Sequence, residues 1–434
     1  MRYPGDWLSL ALVLIPTLLA GLLAWPGAAD AGQWLAYLGR LAGVAGLACL
    51  LAAAILSVRI PGFDRPFGGL TRLWQQHHYL GLGAFLLLLL HPPLMALSRL
   101  PYGKPAMLEV LLPPAADWAM WAGWLGLMAM MIFLAPSFQF FGRPNYQRWK
   151  ALHFLAGLAL VAGLVHTLPL TRSLPTHLSL TVWGGLGGLA VLVFAWRATI
   201  ARRVQRRPYR VSRVETLADR VVEISLLPLR GRRLAFEPGQ FIYFTPHDST
   251  LANGRGEEHP FTISSAPEEE VLRIAVKDLG DASRALQSLQ TDTEADVEGP
   301  YGLFFPPASR ERPQLWIGGG IGITPFVSAA EHIRMGGHWG DSFLINCTND
   351  PSRAYYHDQL QAAAEASSNL RCLDHFFETH GALNRAFVVE HCPDAAEREW
   401  FVCGPTPLVR IARDIARELG VPKTSFHSEE FDFL

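Results

Sequence analysis

The stretches HHYLGLGAFLLLLLH at 77–91 and HFLAGLALVAGLVH at 153–166 each begin and end with a histidine inside strongly apolar sequence. Ionisable side chains at bilayer depth are costly, face the interior of a helix bundle and mark functional paths. Four imidazoles in this arrangement predict two stacked metal centres, and bis-histidine haem b is the natural candidate for each. The expected ligands are His77 and His153 for one centre and His91 and His166 for the other.

The spacing of these histidines can be compared with an ideal helix, in which each residue turns about 100° and rises about 1.5 Å. His77 and His91, fourteen residues apart, share one face at depths about 21 Å apart. His153 and His166, thirteen residues apart, are separated by roughly 140°, so this pair requires local distortion or offset cofactors. His78 is a rival ligand that fits the spacing less well. Hydrogen-bonded core histidines are the alternative interpretation.

Composition separates two unlike halves. The chain has 434 residues with a formal net charge of -1, which argues against nucleic acid as a partner. Six stretches approach the roughly 20 apolar residues that span a bilayer. They lie at 7–24, 34–57, 78–98, 118–135, 151–170 and 178–198. The five cysteines show no metal-binding spacing and no CxxCH motif, so covalently attached haem is not expected.

Basic residues predict the orientation of these spans, because loops rich in Lys and Arg stay in the cytoplasm. They cluster after the second, fourth and sixth stretches, whereas the opposite loops carry few. We therefore expect a multi-pass membrane protein with both termini in the cytoplasm. The clusters comprise Arg59, Arg65, Arg72, Arg143, Arg148, Lys150, Arg202, Arg203, Arg206, Arg207 and Arg210.

Charged residues and alternating strand patterns begin near residue 208. Strand-rich sequence runs to about 308, and the pattern then becomes strand, glycine loop and helix, which is typical of α/β nucleotide-binding domains. The predicted fold is multidomain. It comprises a six-helix transmembrane haem bundle (1–200), a strand-rich domain (208–308) and an α/β nucleotide-binding domain (309–434). A family resemblance in the motifs at 259–267 and 318–325 implies that the second domain is a β-barrel that binds FAD and that the third binds NAD(P).

The segment HPFTISSAP at 259–267 is the sharpest motif in the polar half. It resembles the flavin-binding signature of the ferredoxin-reductase superfamily, in the form found in NADPH oxidases and ferric reductases. VKDLGDAS at 276–283 is similar to the flavin-pyrophosphate segment of that family, in which backbone amides at a helix start meet phosphate. The resemblance implies FAD contacts from His259, Pro260, Phe261, Thr262, Ser265, Lys277, Gly280 and Ser283.

Three further motifs fit the same resemblance. GPYG at 299–302 resembles the turn that closes the nicotinamide pocket, GGGIGITP at 318–325 follows a strand and opens a helix, and CGP at 403–405 resembles the segment whose cysteine approaches the nicotinamide. The implied nucleotide contacts are Gly299, Gly319, Gly320, Gly322, Thr324, Pro325, Cys403, Gly404 and Pro405. A simple turn or a buried thiol is the alternative for each motif taken alone.

Three more residues are candidates for catalysis or specificity. Phe433, or else Phe431, would stack on the flavin, as a terminal aromatic does in related reductases. Arg40 would contact a haem propionate or an anion formed from oxygen, unless it snorkels to the interface. Arg353 is a possible partner for a 2′-phosphate, although CTND lacks the arginine often found there, and NADPH is expected with NADH as the alternative.

The whole chain resembles a bacterial NADPH oxidase or ferric reductase, a transmembrane flavocytochrome. This resemblance implies that NAD(P)H electrons pass through FAD and two haems to an acceptor across the membrane. Oxygen, giving superoxide, is the expected acceptor. A ferric reductase, or an electron-relay subunit for another protein, is the alternative. No obligate protein partner is indicated.

Overall fold

The computed structural model describes residues 3–27, 29–137, 146–170, 175–251 and 254–430. The chain forms two compact units, Met1–Val204 and Gln205–Leu434. The first is helical and the second contains two β-sheets.

The first unit consists of apolar helices, because a helix satisfies all of its backbone hydrogen bonds within one segment. Within the described residues, six helical stretches are long and apolar enough to cross a membrane, as the sequence predicts. The helices are α1 (Pro4–Leu23), α2 (Ala31–Leu56), α3 (Leu70–Leu97), α4 (Lys104–Leu111), α5 (Trp118–Leu134), α6 (Tyr146–His153), α7 (Ala156–Leu170), α8 (Thr176–Ala195) and α9 (Ala201–Val204). A π-helical turn, Trp196–Ile200, joins the last two.

A polar network ties α1 to the start of α3. Asp6, which is buried, accepts hydrogen bonds from Arg72 at 2.8 Å and from the Gln76 amide at 2.7 Å. The Ser9 hydroxyl donates to the Gln76 carbonyl oxygen at 2.5 Å. Buried charges are retained when they are paired and hydrogen-bonded, so this network fixes the register of α1 beside His77.

The second histidine segment is not one continuous helix. It breaks between α6 and α7 at Phe154 and Leu155, whose amides bond three residues back to Ala151 and Leu152. Such turns advance about 120° per residue rather than about 100°. The extra rotation, about 40° over these two residues, turns the following residues part of the way toward the face of His153.

The second unit begins with a six-stranded antiparallel sheet whose order is β4-β3-β6-β1-β2-β5. Its inner strand β3 is buried at every residue, and residues such as Ile224, Ile242 and Val297 form the core. The strands are β1 (Arg206–Ala218), β2 (Val221–Pro228), β3 (Phe241–Pro246), β4 (His259–Thr262), β5 (Leu272–Lys277) and β6 (Glu294–Tyr301), and the short helix α10 (Asp281–Ala285) precedes β6.

A five-stranded parallel sheet follows, with the order β11-β10-β7-β8-β9. Its three central strands, β7, β8 and β10, are buried at every residue because helices cover both faces of such a sheet. The elements are β7 (Gln314–Gly319), α11 (Thr324–Arg334), β8 (Ser342–Thr348), α12 (His357–Ala366), β9 (Leu370–Phe376), α13 (Phe377–His380), α14 (Arg385–His391), β10 (Glu399–Gly404), α15 (Thr406–Glu418) and β11 (Phe426–Glu430). The predicted fold class is confirmed.

Candidate functional site

The structure brings the four histidines together as two pairs. His77 and His153 face each other with ring centres 6.1 Å apart, and we call them the first pair. His91 and His166, the second pair, have ring centres 6.1 Å apart as well. Helix α3 supplies one member of each pair from a single unbroken helix, and α6 and α7 supply the other members.

This spacing fits a metal held between two imidazoles. A metal-bound imidazole nitrogen lies about 2 Å from the ion, with the ring centre roughly 1 Å beyond it. Two imidazoles on opposite sides of one iron therefore have centres roughly 6 Å apart. Both pairs have this separation, and each pair contributes only nitrogen ligands, as a bis-histidine haem requires.

Backbone carbonyls orient three of the four rings. The Nδ1 atoms of His77, His91 and His166 lie 2.7, 2.7 and 2.9 Å from the carbonyl oxygens of Ala53, Gly39 and Ala119. A carbonyl only accepts, so Nδ1 carries the proton and Nε2 keeps its lone pair for a metal.

Glycines on neighbouring helices make room for the second pair. A Cβ on Gly43 would lie 2.8 Å from His91 Nδ1, and a Cβ on Gly123 would lie 2.7 Å from His166 Nδ1. Each glycine follows by four residues the carbonyl that its histidine contacts, Gly39 or Ala119. The same backbone device, one turn of helix with an open surface, therefore holds both members of the second pair.

The first pair has different surroundings. His153 Nδ1 is buried without a hydrogen-bond partner among the described residues. Its ring packs against Phe133 at 5.1 Å and Trp149 at 5.0 Å between centres. Arg197, on the π-helical turn, lies within electrostatic reach of both His77 and His153 and donates to the Ser57 carbonyl. One guanidinium therefore serves the first pair as its nearby cation.

Two other candidates lie close to these pairs in sequence. The His78 ring contacts Tyr79 at 6.5 Å and is not a member of either pair. Arg40 is half-buried on α2, directly after the Gly39 carbonyl that orients His91, and its Nε–H donates to the Ala36 carbonyl at 3.1 Å.

The glycine loop and the CGP segment interlock in the second unit. Strands β7 and β10 pair in parallel, with Gly318 opposite Cys403. A Cβ on Gly322 would lie 2.4 Å from the Cys403 carbonyl oxygen, so only glycine permits this approach. Gly319 also lies close to Gly404, since a Cβ on Gly404 would meet the Gly319 backbone at 3.2 Å. The two predicted nucleotide motifs thus form one surface at the carboxyl edge of the sheet.

The start of α11 completes this surface. Thr324 begins the helix with Pro325 behind it, a position where proline costs no hydrogen bond. The Thr324 hydroxyl donates to the Ile321 carbonyl at 3.0 Å. Pro405 directly precedes α15, another position where proline costs no helix hydrogen bond. The amino ends of both helices therefore meet the carboxyl edge, where phosphate groups bind.

Cys403 is fully buried, and burial raises the pKa of its thiol well above the ordinary value, so the thiol is neutral at physiological pH. Its neighbour across the β10–β11 ladder is Glu429. Burial raises the pKa of the Glu429 carboxyl to about 7. Phe431 and Phe433, the predicted flavin-stacking residues, lie outside the described residues.

The HPFT segment forms β4, an edge strand paired with β3 so that Thr262 lies opposite Phe241. An edge position tolerates Pro260, which lacks a ladder donor. His259 Nε2 lies 3.2 Å from a Glu257 carboxylate oxygen. The Phe261 ring contacts Phe244 in T-shaped geometry at 6.3 Å.

Ser265 and Ser283 make structural bonds. Ser265 is fully buried; its hydroxyl accepts the Arg273 amide at 3.1 Å, and its carbonyl accepts the Ser328 hydroxyl at 2.7 Å. The Ser283 hydroxyl accepts the Gly280 amide at 2.9 Å. That amide is expected to meet a flavin phosphate, and it donates instead within its own turn.

Lys277 reaches the glycine loop from the end of β5. Its Nζ lies 3.8 Å from the position of a Cβ on Gly320, which has a positive φ of 55°. Burial lowers the pKa of the Lys277 amine, and nearby Arg353 and Arg220 lower it further. Gly299 of GPYG lies in β6, which pairs with β3 on the side away from β4. A Cβ on Gly299 would lie 3.2 Å from the Ile242 side chain in β3.

Sequence reasoning missed four residues of these sites, Gly43, Gly123, Arg197 and Glu429. The glycines are ordinary members of apolar helices in the sequence, and their contacts join segments far apart in the chain. Arg197 could have been found from the sequence, because it is the only cation in the last apolar stretch, 178–198.

Three families match successive parts of the chain. They are Ferric reductase like transmembrane component over residues 42–164, FAD-binding domain over 207–304 and Oxidoreductase NAD-binding domain over 316–414. All four paired histidines except His166 lie within the first match. The chain is an oxidoreductase with FAD-binding and NAD(P)H-binding domains and a multi-pass membrane component.

Curated relatives match about half of the chain. The chain is 29% identical over 210 residues to a glycine betaine monooxygenase reductase subunit of Pseudomonas aeruginosa, covering 45% of this chain and 56% of the relative. It is 27% identical over 248 residues to a flavohemoprotein of Chromobacterium violaceum, covering 52% and 60%. The chain thus spans little more than half the length of these relatives.

One solved structure resembles the chain along most of its length. It is a flavohemoglobin from Malassezia yamatoensis, with 15% identity, a TM-score of 0.51 and coverage of 98% of both chains. At this identity the likeness concerns the fold alone.

Proposed function

Because the chain belongs to the ferric-reductase-like transmembrane proteins with a fused FAD-binding and NAD-binding module, we propose that it carries electrons from NAD(P)H through FAD and two b-type haems across the membrane. The two histidine pairs carry this proposal, because both have the ring spacing of a bis-histidine iron. Oxygen is the proposed acceptor and superoxide the product.

The order of the centres follows from the distribution of charge. Arg59, Arg65 and Arg72 precede or begin α3, close in sequence to His77, and basic residues favour the cytoplasmic side. The first pair is therefore proposed to lie near the cytoplasm and the second pair near the far side. The termini and the nucleotide-binding unit are placed in the cytoplasm, in a bacterial inner membrane.

FAD accepts a hydride and passes its electrons on one at a time, and each haem iron carries one electron. Residues of the chain provide the positions. When NAD(P)H binds, the glycine loop would hold its pyrophosphate with Lys277 beside Gly320, and the nicotinamide would approach Cys403 at the end of β10. The imidazoles of His77 and His153, then of His91 and His166, hold successive irons.

The second pair supports oxygen as the acceptor. If His91 and His166 both held one iron, no coordination position would remain for the acceptor, and the haem would supply an electron without binding it. Arg40, half-buried beside the turn that orients His91, supplies positive charge where an anionic product forms.

The test uses full-length protein purified with FAD and haem. NAD(P)H oxidation should produce superoxide that a dismutase-sensitive reporter detects, and the haem spectrum should show reduction in the absence of oxygen. If chelated Fe(III) outcompetes oxygen, the protein is a metal reductase instead. Rapid haem reduction followed by slow turnover with both acceptors would indicate a relay that needs a partner protein.

A further inference from the structure

The adenosine end of the nucleotide site can be located from the sheet order. Nucleotides bind at the carboxyl edge of a parallel sheet, with the pyrophosphate at the glycine loop. Here that loop follows β7, and β10 with Cys403 lies on one side of it. Strands β8 and β9 lie on the other side. With the nicotinamide near Cys403, the adenosine and its ribose lie over the ends of β8 and β9.

The loops after β8 and β9 form one surface. The amide of Glu378 donates to the carbonyl of Asn349 at 3.0 Å, which holds the two loop starts together. Each loop presents a carboxylate, Asp350 after β8 and Glu378 after β9, and the Glu378 side chain is exposed. A carboxylate at the end of the second strand accepts hydrogen bonds from a ribose 2′-hydroxyl, whereas an arginine there accommodates a 2′-phosphate.

In the loop after β8, the basic side chain of Arg353 is exposed and lies next to the acidic side chain of Asp350. Arg353 Nε lies 3.5 Å from the Asp350 carboxylate. Asp350 also accepts the Ser352 amide at 2.9 Å, and its bonds to Ser352 hold the pKa of this carboxyl below the ordinary value, so it is ionised at neutral pH. His380 Nδ1 accepts a hydrogen bond from the Phe376 amide at 3.1 Å, so this nitrogen uses its lone pair and carries no proton.

Lys277 does not discriminate between the two nucleotides. Its Nζ lies at Gly320 of the glycine loop, where the pyrophosphate common to NADH and NADPH binds. Arg220, the other nearby guanidinium, is paired with Asp278 at 2.8 Å. At the end of β8, Asp350 is therefore the carboxylate positioned to distinguish a 2′-hydroxyl from a 2′-phosphate.

We propose that Asp350, with Glu378 beside it, makes NADH the electron donor by hydrogen-bonding the ribose 2′-hydroxyl and repelling a 2′-phosphate. The inference rests on the proposed function for the identity of the reaction, and it reverses the preference for NADPH expected from Arg353. Asp350 is a specificity-determining residue, and Arg353 serves to orient its carboxylate.

The experiment measures binding and turnover separately on full-length protein containing FAD and haem. Calorimetry compares ADP-ribose with 2′-phospho-ADP-ribose, and steady-state assays compare NADH with NADPH. The variants are Asp350→Asn, which keeps the cap on Ser352, Glu378→Gln and Arg353→Ala. The matched control is Glu365→Gln, which removes an exposed carboxylate from α12.

The unmodified protein should bind ADP-ribose about ten-fold or more tightly than its 2′-phosphorylated form, equivalent to one charge-assisted hydrogen bond. Asp350→Asn should narrow this ratio about ten-fold and Glu378→Gln by less, while Glu365→Gln leaves it unchanged. Kinetic preference should change in parallel.

Tighter binding of the 2′-phosphorylated ligand by the unmodified protein would overturn the inference, as would selective loss of that ligand in Arg353→Ala. Failure of the proposed function has a different result. A protein that prefers ADP-ribose but reduces no haem with either nucleotide retains the inference and loses the electron-transfer proposal.

Discussion

The two histidine pairs have the same ring spacing but are held in place by different contacts. In the second pair, each ring donates to a helix carbonyl and lies on a glycine one turn later, Gly43 or Gly123. In the first pair, His77 donates to the Ala53 carbonyl near the end of α2, whereas His153 is fixed by aromatic packing. The second pair is therefore oriented by backbone, and half of the first pair by side chains.

The carbonyl of Ala53 explains why the first pair differs. The last carbonyls of a helix have no partner within it, and the C-terminal amide of Ser57 bonds to Ala54 and Ile55 instead. His77 satisfies one of these free carbonyls. The second pair, in contrast, contacts the carbonyls of Gly39 and Ala119, which lie within α2 and α5. These carbonyls are accessible to the rings only because the residue four positions later is glycine. Backbone anchoring thus predicts that substitutions around the second pair disturb its rings strongly and that substitutions around His153 disturb its ring less.

The largest expected effect is the loss of a ligand. His91→Ala should remove one of the two haems, so haem absorbance per protein falls to about half, because a single remaining imidazole holds iron weakly. Quantitative haem extraction measures it. His78→Ala is the control and should keep both haems. Full haem content in His91→Ala would show that the second pair is not a ligand set.

The next effect separates the two anchoring modes. Gly123→Ala or Gly43→Ala places a methyl group 2.7 or 2.8 Å from a ring nitrogen. Displacement of the ring should lower haem occupancy of the second pair and reduce the free energy of unfolding by about 1–3 kcal/mol.

Spectra of the haem content and thermal denaturation report this change. Gly184→Ala is matched to it, since a Cβ at Gly184 meets nothing within 4 Å. An equal loss in Gly184→Ala would mean that helix packing in general, not contact with the rings, is responsible.

A smaller effect concerns charge. Arg197→Gln removes the cation near the first pair. Loss of this positive charge stabilises the oxidised iron relative to the reduced iron and should lower the midpoint potential of the first haem by roughly 30–60 mV. The second haem should not shift. Redox titration of the two haems measures this. Equal displacement of both potentials would contradict the assignment of Arg197 to the first pair, and Arg65→Gln, at an exposed arginine, provides the baseline.

The smallest effect tests side-chain anchoring of His153. Trp149→Leu removes one ring packed on the imidazole together with a hydrogen bond of 2.8 Å to the Ser137 hydroxyl. We expect a broadened low-spin EPR signal from the first haem only and a stability loss of about 1 kcal/mol. Trp121→Leu alters an exposed tryptophan of α5 for comparison. An unchanged signal would mean that Phe133 alone orients the ring.

Sequence reasoning reaches the ligands but not their supports. Histidines in apolar segments are visible as residue types, and their spacing shows that the second segment must be distorted. The position of the break at Phe154, and the contacts of Gly43 and Gly123, depend on neighbouring helices and have no local signal. Asp350 is likewise visible in the sequence, but its engagement with Arg353 follows from the fold of the loop.

The break between α6 and α7 has one further consequence. A single deleted or added residue between two ligands normally rotates one of them out of place. The turn at Phe154 and Leu155, which already departs from α-helical geometry, can accommodate such a change in rotation. Insertions and deletions are therefore tolerated at this point and excluded from the unbroken α3. Among related chains, the interval between the ligands should vary in the later segment and stay constant in the earlier one.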